Sequence, residues 1–175
     1  MMISFFPQNV AAQRYYTVKE VLTHLFSKSE KVLPEKKQLS SKRHKEIKKI
    51  TRSNELPQNW TIYRATTGVE TDGYAFIDHI VGKEMPITYV VSLDSKGVVN
   101  EVEIMIYRES HGGEVKNKRY RKQFIGKNSE SSLKLGKDIV PVSGATISSR
   151  QIAKGVKRIL LIWNEFYSSS LDNKK

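Results

Sequence analysis

The chain has 175 residues, a formal net charge of +12 at neutral pH and no cysteine. That length fits one domain with a real core, and the missing thiol excludes disulfides, thiolate catalysis and cysteine-held zinc or iron–sulfur centres. At 38% apolar and 27% charged residues, the composition is that of a folded domain rather than a disordered one.

No stretch approaches the roughly 18 apolar residues needed to span a bilayer. The positive charge is concentrated in Lys28–Lys49 and Lys116–Lys127. It favours anions without choosing among them, and the two runs read as solvated helix faces. A basic nucleic-acid-binding protein is the alternative that this charge raises. The chain lacks a recognisable zinc finger, RNA-binding sheet motif or helix-turn-helix pattern, so no nucleic-acid partner is expected.

Residues 1–16 form a tail. Within them Val10-Ala11-Ala12 has the small-residue character of the end of a signal peptide, with cleavage before Gln13, although a basic run before it is missing. From Thr17 the pattern turns helical: Val18, Val21, Leu22, Leu25 and Phe26 recur at three- and four-residue spacing. Thr17 and Glu20 make a capping-box pattern, and Pro34 predicts an end near Lys31–Leu33. His24 reads as a surface residue rather than a ligand. Ser40–Ile50 is a second, basic helix with sparse apolar positions, so residues 17–59 are expected to be a helical part of the domain.

Residues 60–167 read as the core. Trp60–Thr66, Gly73–Val81, Ile87–Leu93 and Val98–Tyr107 alternate as strands, and the last two should pair as a hairpin around Asp94–Gly97. The expected architecture is α+β, a single domain with an antiparallel sheet packed against helices. The loop Glu109–Val115 holds His111, Glu109 and Glu114 beside Gly112 and Gly113, but their spacing matches no tight ligand set, and no metal site is expected. Asn117–Gln123 predicts a short helix. A last long helix begins near Ser148, with Ile152, Val156, Ile159, Leu160 and Trp163 as its buried stripe; residues 168–175 read as a polar, fraying tail.

Pro141–Ser149 leads into that helix. A small hydroxyl-rich turn before a helix start, where backbone N–H groups lack partners, suits an anionic group. An ordinary cap with Ser148 or Ser149 as N-cap uses the same residue types. Sequence chemistry leaves both open.

Ser143-Gly144-Ala145-Thr146, with Ser148 following, resembles the flavinylation motif of FMN-binding domains. These occur in periplasmic subunits of sodium-pumping quinone reductase and Rnf-type electron-transport complexes, and in standalone proteins. Glu109–Val115 and Gln123-Phe124-Ile125-Gly126-Lys127 resemble two further segments of that family in the expected order. The resemblance implies FMN as cofactor, joined by a phosphoester to Thr146 by a flavin transferase that uses FAD. It implies that Ser143, Gly144, Ala145 and Ser148 surround the phosphate, while Glu109, His111, Gly112 and Gly113 lie near the flavin. It also implies an extracytoplasmic electron carrier with a membrane-bound or soluble redox partner, rather than an enzyme with its own substrate and catalytic residues. Many relatives have aspartate three residues before the motif serine, where this chain has Val140. Noncovalent FMN, or an unflavinylated interaction module, are the alternatives which that departure raises.

Overall fold

The computed structural model describes residues 12–53 and 55–172; the leader-like run before Ala12 falls outside them. Six strands form one antiparallel sheet in the order β1-β6-β5-β4-β3-β2. They are β1 (Gln13–Arg14), β2 (Lys31–Gln38), β3 (Asn59–Thr67), β4 (Glu70–Val81), β5 (Pro86–Asp94) and β6 (Val99–Tyr107). Four helices accompany them: α1 (Val18–Leu25), α2 (Ser41–Thr51), the short α3 (Lys118–Arg121) and α4 (Thr146–Asp172). The α+β architecture is as expected.

The two sheet faces divide the apolar residues. On one face Phe76, Tyr89, Val91 and Leu93 pack with Ile47 of α2 and with Ile152, Val156, Ile159 and Trp163 of α4 in the main core. The other face carries a smaller cluster of Ala75, Val90 and Met105, covered by Val21 and its neighbours on α1. The capping box at Thr17 and Glu20 forms as predicted, with both reciprocal bonds present.

Three boundaries differ from expectation. The first helix stops at Leu25, short of the end expected near Lys31–Leu33, and Lys31–Gln38 forms a strand paired with β3. Pro34 is accommodated because β2 is an edge strand, where a missing N–H is tolerated. The flanking lysines also discourage pairing with another chain. Residues 17–59 therefore hold two helices with a strand between them. The last helix starts at Thr146, two residues early, and runs to Asp172.

One buried ion pair fixes α4 on the sheet. The Arg158 guanidinium pairs with Asp78 of β4 and donates to the carbonyls of Glu55 (2.7 Å) and His79 (2.9 Å). Tyr89 of β5 donates to the same carboxylate at 2.7 Å, and burial pushes its phenol pKa well up. Gly155 makes room for this ring, since a Cβ there would collide with the Tyr89 hydroxyl. Arg158 and Asp78 are 1% and 3% exposed, so removing one partner strands a buried charge. Asp78→Ala is expected to lower the unfolding free energy by about 3–5 kcal/mol in a urea titration. A loss below about 1 kcal/mol, the range of an exposed pair, would contradict this role.

Candidate functional site

The start of α4 meets two loops from the sheet. A shallow recess of about 270 Å³ is lined there by Lys83, His111, Gly112 and the run Gly144–Ser148. Lys83 comes from the turn between β4 and β5, and His111-Gly112 from the loop after β6.

The turn before α4 is set by backbone bonds. Ala145 N–H donates to the Val142 carbonyl at 3.0 Å, and Ser149 N–H donates to the Ala145 carbonyl at 2.9 Å as the first intrahelical bond. The amides of Thr146, Ile147 and Ser148 precede that bond, leaving N–H donors and the positive end of the helix dipole at the recess. Gly144 adopts φ +77°, with open space where a Cβ would stand. Thr146 is exposed on the first turn.

Neither serine expected as N-cap serves in that role. Ser149 is buried, and its hydroxyl accepts the Val142 N–H at 3.1 Å. Ser148 is also buried, with its hydroxyl 3.2 Å from that of Tyr107. Tyr107 donates its one proton to the His111 carbonyl, at 2.6 Å, so Ser148 is the donor of this pair. Its proton is therefore directed inward, away from the recess. Burial raises the Tyr107 pKa, and the Ser148 bond opposes this.

This clamp leaves no space beside Gly112. Its φ is +83°, and a Cβ would approach both the Ser148 and the Tyr107 hydroxyl oxygens to 2.8 Å. Gln123 supports the segment before the turn. Its side-chain amide accepts the Val140 N–H (2.8 Å) and donates to the Val140 carbonyl (3.1 Å). The Val140 side chain is left 69% exposed. A second recess, about 450 Å³ and largely apolar, lies beside Tyr120, Gln123 and Val140–Val142.

The residues singled out from the sequence divide accordingly. His111, Gly112, Gly144, Ala145, Thr146 and Ser148 come together at the recess. Ser143 is exposed in the turn outside its lining, and Gly113 opens a 3₁₀ turn behind it. Glu109 folds the neighbouring hairpin, with one carboxylate oxygen accepting the N–H groups of Glu84 (2.9 Å) and Met85 (3.1 Å). Lys83 and the supporting Tyr107 had no signal in the local sequence, because only the strand register brings them to the helix start, where Ile147 joins the lining from the first turn of α4 itself.

Residues 82–161 match the family model of the FMN-binding domain. That segment contains every residue lining the recess. The match spans under half of the chain; over it the chain is similar to FMN-binding domains, which indicates FMN as the cofactor. The fold is shared with the crystal structure of Shewanella oneidensis NqrC. The TM-score is 0.58 at 14% identity, covering 83% of this chain and 86% of that one. It is also shared with a Na⁺-translocating NADH-quinone reductase subunit from Parabacteroides distasonis. There the TM-score is 0.54 at 17% identity, covering 87% of this chain and 84% of that one. A search of curated proteins found no match.

The residues present fit the cofactor's phosphate end. Helix-start amides and the Lys83 ammonium supply donors and positive charge for a phosphate, and the open side of Gly144 leaves room for one. The recess falls below the roughly 300–1,000 Å³ of pockets that enclose a small molecule, so it has room for a phosphate end and not for the whole of FMN. The two glycines make different demands. Gly112→Ala is expected to cost about 2–4 kcal/mol, combining a left-handed backbone penalty with overpacking. Gly144→Ala carries the backbone penalty alone, about 1–2 kcal/mol. Urea denaturation of both apo variants checks the order; equal losses would contradict the clamp.

Proposed function

We propose that this chain is an electron-transfer flavoprotein carrying FMN in a phosphoester to Thr146 Oγ, working outside the cytoplasm. The observation that carries this reading is the exposed Thr146 hydroxyl on the first turn of α4, beside unpartnered helix amides and at a recess too shallow to retain FMN by enclosure. A covalent tether supplies the retention that the surface does not.

Attachment requires a flavin transferase with FAD as co-substrate. In that transfer Thr146 Oγ would form the bond to the FMN phosphorus as the pyrophosphate bond to the adenylate breaks, with AMP departing and the hydroxyl proton passing to a base of the transferase. The exposure of Thr146 gives such an enzyme access. When bound, the flavin accepts and returns one or two electrons. The chain's own residues do the rest. Helix amides and Lys83 hold the phosphodiester charge, and the Tyr107–Ser148–His111 bonds keep the loop fixed against α4. Ile147 and the His111-Gly112 backbone offer a surface for the flavin. The likeness to quinone-reductase subunits supports a membrane-bound or soluble redox partner. The small-residue run Val10-Ala11-Ala12 supports export; among the described residues no helix is long and apolar enough to cross a membrane.

Noncovalent FMN is the second reading, favoured by the position of Val140. Asp138, two residues earlier, does not replace the aspartate of relatives, because its carboxylate accepts the Lys134 N–H at 3.0 Å and the Ser132 hydroxyl within its own loop. Co-expression with a flavin transferase separates the two. The parent is expected to keep its yellow colour through denaturation and to show an FMN-sized mass adduct, both lost in Thr146→Ala. Colour released on denaturation supports the noncovalent reading. An adduct that survives in Thr146→Ala, or no bound flavin at all, overturns the proposal.

A further inference from the structure

On the α1 side of the sheet, away from the recess, three metal-ligating side chains meet. Glu101 and Glu103 stand two residues apart on β6, so the period of the strand puts both carboxylates on one face. His24, from the last turn of α1, completes the group. One ligand atom from each residue lies within 4.8 Å of the others. His24 Nε2 is 3.6 Å from Glu101 Oε2, close to the roughly 3.4 Å between two ligands of a tetrahedral zinc with bonds of about 2.0–2.1 Å.

The surroundings favour a cation. Glu103 is buried to 7% exposure, and Arg121 holds its Oε1 while also donating to the Val102 carbonyl at 2.6 Å. Such a bond orients a ligating carboxylate in the way that outer-shell partners do. Arg121 engages one of the two carboxylates, and His24 is the basic group nearest the other. The Tyr16 ring stacks on His24 with centroids 6.1 Å apart, fixing the imidazole over the strand. Sequence spacing hid this group, since His24 and the glutamates lie on distant elements.

We propose that His24, Glu101 and Glu103 bind a divalent transition-metal ion, Zn²⁺ by preference. Imidazole nitrogen with carboxylate oxygen is a ligand set that zinc accepts, with water completing the coordination. The ion clips α1 to β6. Its place on the opposite sheet face makes it a structural site, independent of the flavin.

The test titrates ZnCl₂ into the untagged, EDTA-treated chain by calorimetry, with melting temperature followed in parallel. One equivalent is expected to bind and to raise the melting temperature. His24→Ala and Glu101→Gln should each weaken binding by roughly tenfold or more and abolish the thermal shift. Both side chains are at least a third exposed (49% and 36%), so the variants are expected to fold, which circular dichroism checks. Co²⁺ substitution gives a visible spectrum that reports coordination directly, and it should vanish in the same variants. No binding by the parent, or binding unchanged in both variants, overturns the site.

Discussion

The position of α4 depends on the buried contact between Arg158 and Asp78. This helix carries the main-core stripe along its length and the proposed attachment residue, Thr146, at its first turn. A buried ion pair is a poor source of net stability, since desolvation offsets its attraction. Its consequence is specificity of placement. Sliding or rotating α4 by one residue would separate two buried charges and break the Glu55 and His79 carbonyl bonds, a cost that apolar packing alone would not impose. Thr146 lies about 18 Å up the same rigid helix, so the pair fixes where the helix amides and the Thr146 hydroxyl emerge.

A second set of bonds converts that placement into a site. Tyr107 joins the end of β6 to the His111 loop and, through Ser148, to α4. Ser149 and Gln123 hold Val142 and Val140 by their backbones. The side chains beneath the recess are thereby consumed in structure, while the helix amides, Lys83 and Thr146 remain open at the recess. The division explains a run with three hydroxyls at Thr146, Ser148 and Ser149 in which only the first is exposed. A helical repeat turns the other two into the core.

Much of this could be read from sequence where the cause is local. The capping box at Thr17, the alternation of β3 to β6 and the apolar stripe of α4 each follow from neighbours within a few residues. Strand β2 escaped because its charged, weakly alternating sequence reflects an edge with one modestly covered face, and Pro34 looked like a helix stop. Ser148 and Ser149 suggested a later helix start because their hydroxyls have cap chemistry; tertiary bonds to Tyr107 and Val142 claimed them instead. At the site, Ser143–Thr146 was legible through family resemblance. Lys83 was not, since its neighbours at the recess come from chain segments far away. Glu109 was chemically conspicuous but serves the hairpin turn.

In the proposed chemistry, the first turn of α4 presents one reactive hydroxyl to the cofactor. Tryptic peptide mapping of the flavinylated protein tests this most directly, because cleavage after Lys137 and Arg150 isolates Asp138–Arg150. The FMN mass should reside on this peptide, and fragmentation should assign it to Thr146. An adduct on Ser143, Ser148 or Ser149, or on any other peptide, would contradict the assignment.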